Sequence, residues 1–242
     1  MTHHRWPLPL AAAVLLGPAC AADEPRIAQQ WSPLSATDMF EGQPLQTWAV
    51  AWGRWWYAQT SCELVDRDPD GARCGEHQDP ESPVFFLAGG DPGTTRTRCE
   101  VPADKAIVVP LAAFLTDNAG AAPSELRTDT ELRVHAERVR TSMNQLELSV
   151  DGTDVESLEN YAIGPTRFAY TLPPEPNWYS CNGVSGVTGH VDPAFIAGYF
   201  VVLPRPTAGR HDLVFGGVAH VGEDRAETNH VETTLTVRAA DD

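Results

Sequence analysis

At 242 residues the chain exceeds the usual length of one domain, yet β-sandwiches reach this size as single units, and an apolar fraction of 42% supports a sizeable core and excludes wholesale disorder. Acids outnumber bases 33 to 17, a formal charge of −16 spread along the chain, which repels nucleic acid and anionic lipid and excludes both as charge-driven partners. With a single lysine, Lys105, any Schiff-base chemistry would have to pass through that residue.

The chain begins with His3, His4 and Arg5, then an apolar run from Leu10 to Leu16 and small residues around Cys20. This is the grammar of a secretory signal peptide over residues 1–19, too short to span a bilayer as a helix. Leu16-Gly17-Pro18-Ala19-Cys20 resembles a bacterial lipobox, with Pro18 out of pattern, and would leave Cys20 lipidated at a new N-terminus; Ala19-Cys20-Ala21 fits ordinary signal peptidase instead. Setting Cys20 aside leaves four cysteines, an even number suited to an oxidising compartment, and favours the lipoprotein. The expected location is the outer membrane or periplasm, with the membrane touched only through the lipid; a secreted soluble protein is the alternative.

Residues 20–43 are polar and interrupted by proline, as in a tether or extended lead-in, and 44–242 read as one domain. Pro44 opens a helix over about 45–59 in which Trp48, Trp52 and Trp55 fall on one face, a stripe that reads as core. A loop over 61–83 carries Cys62 and Cys74. Val84 to Ala88 forms a buried strand, Gly89-Gly90-Asp91-Pro92-Gly93 a hairpin turn, and a short return segment ends at Cys99 before a second apolar run, Ala106 to Pro110. The stretch from Cys74 to Pro110 therefore reads as the framework of the fold. A second helix follows at about 129–143, opened by a Thr128/Glu131 capping box and lined by Leu132, His135, Val139 and Met143. From Leu146 the period changes to two, with an Asp151-Gly152 turn. Arg167–Leu172, Tyr199–Leu203, His211–Val218 and Val231–Val237 continue as strands. The predicted fold is mainly β: an antiparallel β-sandwich or jelly-roll-like domain with two packed helices.

Trp55 and Trp56, Gly71, Cys74, Gln78, Pro83 to Gly89, Arg98-Cys99, Val101 to Ala103 and Pro110 together resemble the pattern of a family of uncharacterised bacterial exported proteins: a Trp-rich helix, a Pro-Val-x-Phe-Leu-Ala-Gly strand and an Arg-x-Cys-x-Val-Pro-Ala motif. Gly209-Arg210-His211 leading to Phe215-Gly216-Gly217 resembles the same proteins' final hairpin. About two-thirds of the chain is covered, and the family implies no established activity. The resemblance implies that Cys74 pairs with Cys99, leaving Cys62 with Cys181; proximity in sequence alone would pair Cys62 with Cys74. Closing the 74–99 loop contributes about 3.5 kcal/mol on the chain-entropy view.

Two clusters are candidates for chemistry. Asp66, Asp68 and Asp70, with Gly71, have the spacing of a calcium loop, although the twelfth position is His77 where a glutamate is required. In the terminal hairpin, a turn centred on Arg225 would set His220 opposite His230 and Glu223 opposite Glu227, a donor set for zinc, copper or iron; a solvated polar hairpin is the plainer reading. Calcium or a transition metal are thus the cofactor candidates, with none assigned. Gly183-Val184-Ser185-Gly186 falls one residue short of a nucleophile elbow, and His135-Ala136-Glu137 lacks the Pro-Cys-x-x-Cys of zinc deaminases. His190 and His211 read as hydrogen-bonded structural residues. No catalytic residue emerges. The leading expectation is an exported lipoprotein with a binding or structural role toward a protein or carbohydrate ligand; the rivals are a metal-dependent secreted enzyme using the terminal hairpin and a calcium-stabilised adhesive or carbohydrate-binding module.

Overall fold

The computed structural model describes residues 31–222 and 225–239. The expected signal peptide, Cys20 and Glu223 lie outside them. The domain is mainly β, two packed sheets with helices on their flanks, as the sequence predicts.

Pro44 stands at the head of α1 (Leu45–Tyr57), where its fixed φ of −73° and missing N–H suit a first turn. Trp48, Trp52 and Trp55 are buried as core. Their indole N–H groups donate to the carbonyls of Phe40 (3.3 Å), Leu87 (2.8 Å) and Glu76 (3.0 Å), so no donor is stranded. Gly53 brings the helix close to the sheet, since a Cβ there would meet Leu115, Ile196 and Phe168 at 3.1 to 3.3 Å. The helix stops two residues before the expected Gln59. That side chain folds back to donate to the Trp56 carbonyl and accept from the Val65 N–H.

One sheet orders β1 (Val84–Phe86), β3 (Ala106–Asp117), β7 (Gly189–Leu203) and β6 (Ala162–Leu172); the other orders β2 (Thr94–Pro102), β9 (Ala226–Arg238), β8 (Gly209–His220), β4 (Asn144–Val150) and β5 (Thr153–Asp154). The four-stranded sheet is covered on both faces, which is why β3 and β7 read as continuous apolar runs. Ile107, Val109, Leu111, Val201 and Leu203 face the second sheet with Leu213, Phe215, Val231 and Leu235. The alternate positions Val108, Ile196, Phe200 and Val202 face the tryptophans of α1. Each buried Val, Leu, Ile or Phe is worth roughly 1.5–3 kcal/mol, and two cores sharing one sheet make its strands the most protected part of the chain.

The helix α2 (Asp129–Ser142) begins with the expected capping box, Thr128 and Glu131 each serving the other's backbone N–H. Leu132 and Ala136 pack on Phe195 and Ala197 of β7, while Val139 and Met143 reach the inter-sheet core. The Asp151-Gly152 turn joins β4 to β5 with φ of 50° and 75° at its two central residues, the conformation a two-residue hairpin needs.

The expected hairpin at Gly89–Gly93 is not one. β1 pairs in parallel with β3, and β2 pairs in parallel with β9 of the other sheet, so the glycine-rich turn is a crossing between layers. Asn229 holds it there: its Oδ1 accepts the Gly90 N–H (2.8 Å) while its amide donates to the carbonyls of Pro110 and Leu111 at a β3 bulge. Gln78 caps the free edge of β1, bonding both the N–H and the carbonyl of Phe86 like a neighbouring strand. Cys74 is bonded to Cys99 and Cys62 to Cys181, the pairing that the resemblance implies.

Candidate functional site

The terminal hairpin does not assemble the predicted metal set. His220 pairs with Ala226 and His230 with Gly216, so the turn is not centred on Arg225. The two imidazoles therefore stand four residues apart along the ladder, about 13 Å. Burial parity permits either register. Gly216 decides it, because only glycine fits against the Asn229 carbonyl at that point. His230 uses the gap to bond Glu147 on β4, His220 meets Asn144 at 3.4 Å, and Glu227 turns to Arg225 at 2.6 Å.

The calcium spacing fails for a different reason: each carboxylate is taken by the protein's own groups or turned away. Asp68 is buried and accepts the Arg73 N–H at 2.7 Å. Asp70 accepts the Ala72 N–H and pairs with Arg98 at 2.7 Å, contacts that hold its carboxyl below the usual range. Asp66 sits in a short 3-10 helix with one oxygen buried and unpartnered. Among the described residues no group of three His, Cys, Asp or Glu side chains is placed to hold a metal ion.

The loop is instead organised by Arg96. Its guanidinium is buried and donates to the carbonyls of Val65, Asp66, Asp68, Ala88 and Gly89 at 2.7 to 3.3 Å. Burial lowers its pKa, opposed by the charges of Asp68 and Asp66. Lys105, the single lysine, is likewise buried and donates to the carbonyls of Asp79, Pro80 and Ser82 at 2.7 to 3.1 Å. A charged ammonium held by three carbonyls is a clamp on the backbone, not a nucleophile.

A second concentrated polar site lies at the C-terminal end of α1. Asp117, the last residue of β3, receives the hydroxyls of Tyr57 (3.3 Å) and Tyr170 (3.0 Å) on Oδ2, and the Tyr179 hydroxyl (2.6 Å) with the Ala119 N–H (2.7 Å) on Oδ1. Three of the five tyrosines in the chain meet there. Their rings are near parallel, with Tyr57 4.1 Å from Tyr170 and 6.1 Å from Tyr179. Tyr179 is delivered by a short helix, α3 (Trp178–Cys181), whose cap Asn177 is fully buried and bonds Ser180, Pro173 and Val187. The 62–181 disulfide fastens α3 to the loop after α1.

Burial, and then the Asp117 charge, push all three phenols far above their ordinary value, so they stay protonated and donate. Four donors fill the four acceptor positions of the carboxylate. The cluster is a saturated clamp joining α1, β3, β6 and α3, with no lone pair left to take a substrate proton. Sequence reading missed it because its three tyrosines lie 53 to 62 residues from Asp117 and carry no spacing signal. Two cavities, one lined by Arg96, Trp55 and Thr233 and one by Phe40, Trp48 and Tyr161, each enclose about 10 Å³, far below the several hundred Å³ of a small-molecule site.

No family model matches the chain, and no curated protein matches it. Among solved structures, the solution structure of Amebosin is similar at 12% identity and a TM-score of 0.16, over 60% of this chain and 90% of that one, a likeness too loose to bear on fold or function.

Proposed function

We propose that this is an exported bacterial envelope lipoprotein whose β-sandwich serves as a binding or structural module toward a protein or carbohydrate partner. One observation carries the reading: three charged groups drawn in from the surface are consumed in clamping the chain itself, the buried Arg96 and Lys105 by backbone carbonyls and the partly buried Asp117 by three phenols. The two disulfides support an oxidising compartment, and the resemblance of Trp52–Pro110 to exported proteins supports the same placement. A partner is met at the surface, with Cys20 as the anchor.

Two measurements test this. Metabolic palmitate labelling should mark the wild-type chain and not Cys20→Ser; an unlabelled, soluble wild type overturns the anchor alone. The purified domain should turn over no ester, glycoside or peptide substrate. Turnover abolished by Asp117→Asn in a folded variant would overturn the module.

A further inference from the structure

In a chain of net charge −16, a cation that finds no oxygen partner within its own fold stands out. Most arginines among the described residues pair with carboxylates, and Arg54, Arg67, Arg96 and Lys105 bond carbonyl or amide oxygens. The side chains of Arg127, Arg133, Arg138 and Arg210 form no hydrogen bond to an oxygen among the described residues. Three of the four fall on α2 or one residue ahead of its cap, Thr128. The acids of this segment are spent elsewhere: Glu131 on the Thr128 N–H and hydroxyl (2.7 and 2.8 Å), Asp129 on Arg167 (3.0 Å) and Glu137 on Arg140 (2.6 Å).

Arg127 and Arg138 lie on either side of His135. Asn118 pins the Arg127 backbone through its N–H (2.9 Å) and its carbonyl (2.7 Å), and Phe114 of β3 packs edge-on against the imidazole with 5.2 Å between centroids. Arg138 donates to Nδ1 of His135 at 3.1 Å; a guanidinium has no acceptor, so the proton of the neutral ring sits on Nε2. Burial, and then the charges of Arg127 and Arg138, lower the imidazole pKa, which leaves the ring uncharged at neutral pH. Val134, one helical turn before Arg138, and Leu126, next to Arg127, are 57% and 56% exposed. Arg133 stands on the opposite flank of the helix, where its charge acts on Glu137.

We propose that this flank of α2, Arg127, His135 and Arg138 with Leu126 and Val134, is the docking surface for an acidic segment of a partner protein: its carboxylates take the two guanidinium groups and its aliphatic side chains cover the two exposed apolar residues. Charge complementarity selects the carboxylates, since each guanidinium offers a planar fork that nothing in the described fold occupies. The exposed apolar neighbours are aliphatic, which suits peptide side chains better than sugar rings. A short segment also avoids the acids of the remaining surface, whose field is screened beyond about 8 Å at physiological salt, whereas a nucleic acid or a lipid surface would reach across them. The inference names a partner for the binding-module reading and rests on it; palmitate labelling and the turnover assays test that reading without the peptide, so the two fail separately.

Fluorescence anisotropy of a short labelled peptide of glutamate and leucine reads docking on the purified domain. The double variant Arg127→Gln with Arg138→Gln should weaken binding about tenfold, while Arg133→Gln with Arg210→Gln, which removes the same charge outside the flank, should weaken it about twofold or less. In the wild type, proton NMR of the imidazole should show His135 titrating at higher pH with the peptide bound, because the carboxylates offset the two guanidinium charges that lower it. No binding, an equal loss in the two double variants, or a His135 titration that the peptide leaves unmoved would each overturn the surface. Tighter binding of polygalacturonate or of phosphatidylglycerol vesicles, lost in the Arg127→Gln with Arg138→Gln variant, would overturn the peptide as its occupant.

Discussion

Arg96, buried, and Asp117, partly buried, are charges of opposite sign, and they are quieted in different ways. Around Arg96 the partners are five backbone carbonyls from two neighbouring segments, 65–68 and 88–89. Around Asp117 they are three phenols delivered by α1, β6 and α3, from positions 53 to 62 residues away. The first arrangement shapes a loop, and its acceptors have no other donor of that reach. The second ties distant elements, and each donor can be removed singly. The loop therefore fails when its cation is deleted, whereas the tyrosine clamp fails by titration, when its donors are asked to ionise together.

The largest expected effect follows from that titration. Above about pH 10 the phenols of an unfolded chain release their protons, while the three at Asp117 cannot do so in place because burial and the carboxylate charge hold them up. The folded state then binds three protons that the unfolded state has lost, so stability falls as pH rises, by about 4 kcal/mol per pH unit. Phenolate absorbance should appear together with loss of circular dichroism in one alkaline transition. Phenolate signal from these rings ahead of unfolding would show the clamp to be loose.

Next in size is the contrast between deletions. Arg96→Met strands five carbonyls in a buried loop and should lower stability by about 3–5 kcal/mol in urea. Tyr170→Phe removes one of four donors to Asp117 and should lower it by about 1 kcal/mol. Equal losses would erase the distinction between the two sites.

The same contrast explains what could be read in the sequence. The Trp face of α1, the Thr128/Glu131 box and the Asp151-Gly152 turn are local patterns, each fixed by side chains within one or two turns of the backbone, and all three form. The glycine-rich segment at 89–93 carries the local signature of a hairpin, but Asn229, 139 residues from Gly90, turns it into a crossing between sheets. The register of β8 on β9 was likewise hidden, because Gly216 and Asn229 fix it by a close approach that alternation of apolar residues does not encode. The Asp117 cluster lies at the far end of this scale. Nothing near Tyr57, Asp117, Tyr170 or Tyr179 in the chain marks them as partners.

The smallest effect concerns Asp66, which belongs to the Arg96 loop but gains little from it. Arg96 takes the Asp66 carbonyl, not its carboxylate, and one carboxylate oxygen is buried without a partner. Burial raises this carboxyl above the ordinary range, more than the charges of Arg67 and Arg96 lower it. An acid held up in the folded state binds its proton more tightly folded than unfolded, so its ionised form opposes folding. Asp66→Asn should therefore stabilise the domain at neutral pH, by about 0.5–1 kcal/mol for relieving a buried charge that lacks a full set of partners. The gain should shrink as pH falls through the raised folded value, because the wild-type carboxyl then takes up the proton that removes its charge. Urea titrations of the two proteins across that range decide it: a variant less stable than wild type at neutral pH would mean that the carboxylate contributes to the Arg96 site through its charge, and the loop would then be an ion-pair network in place of a cation held by carbonyls.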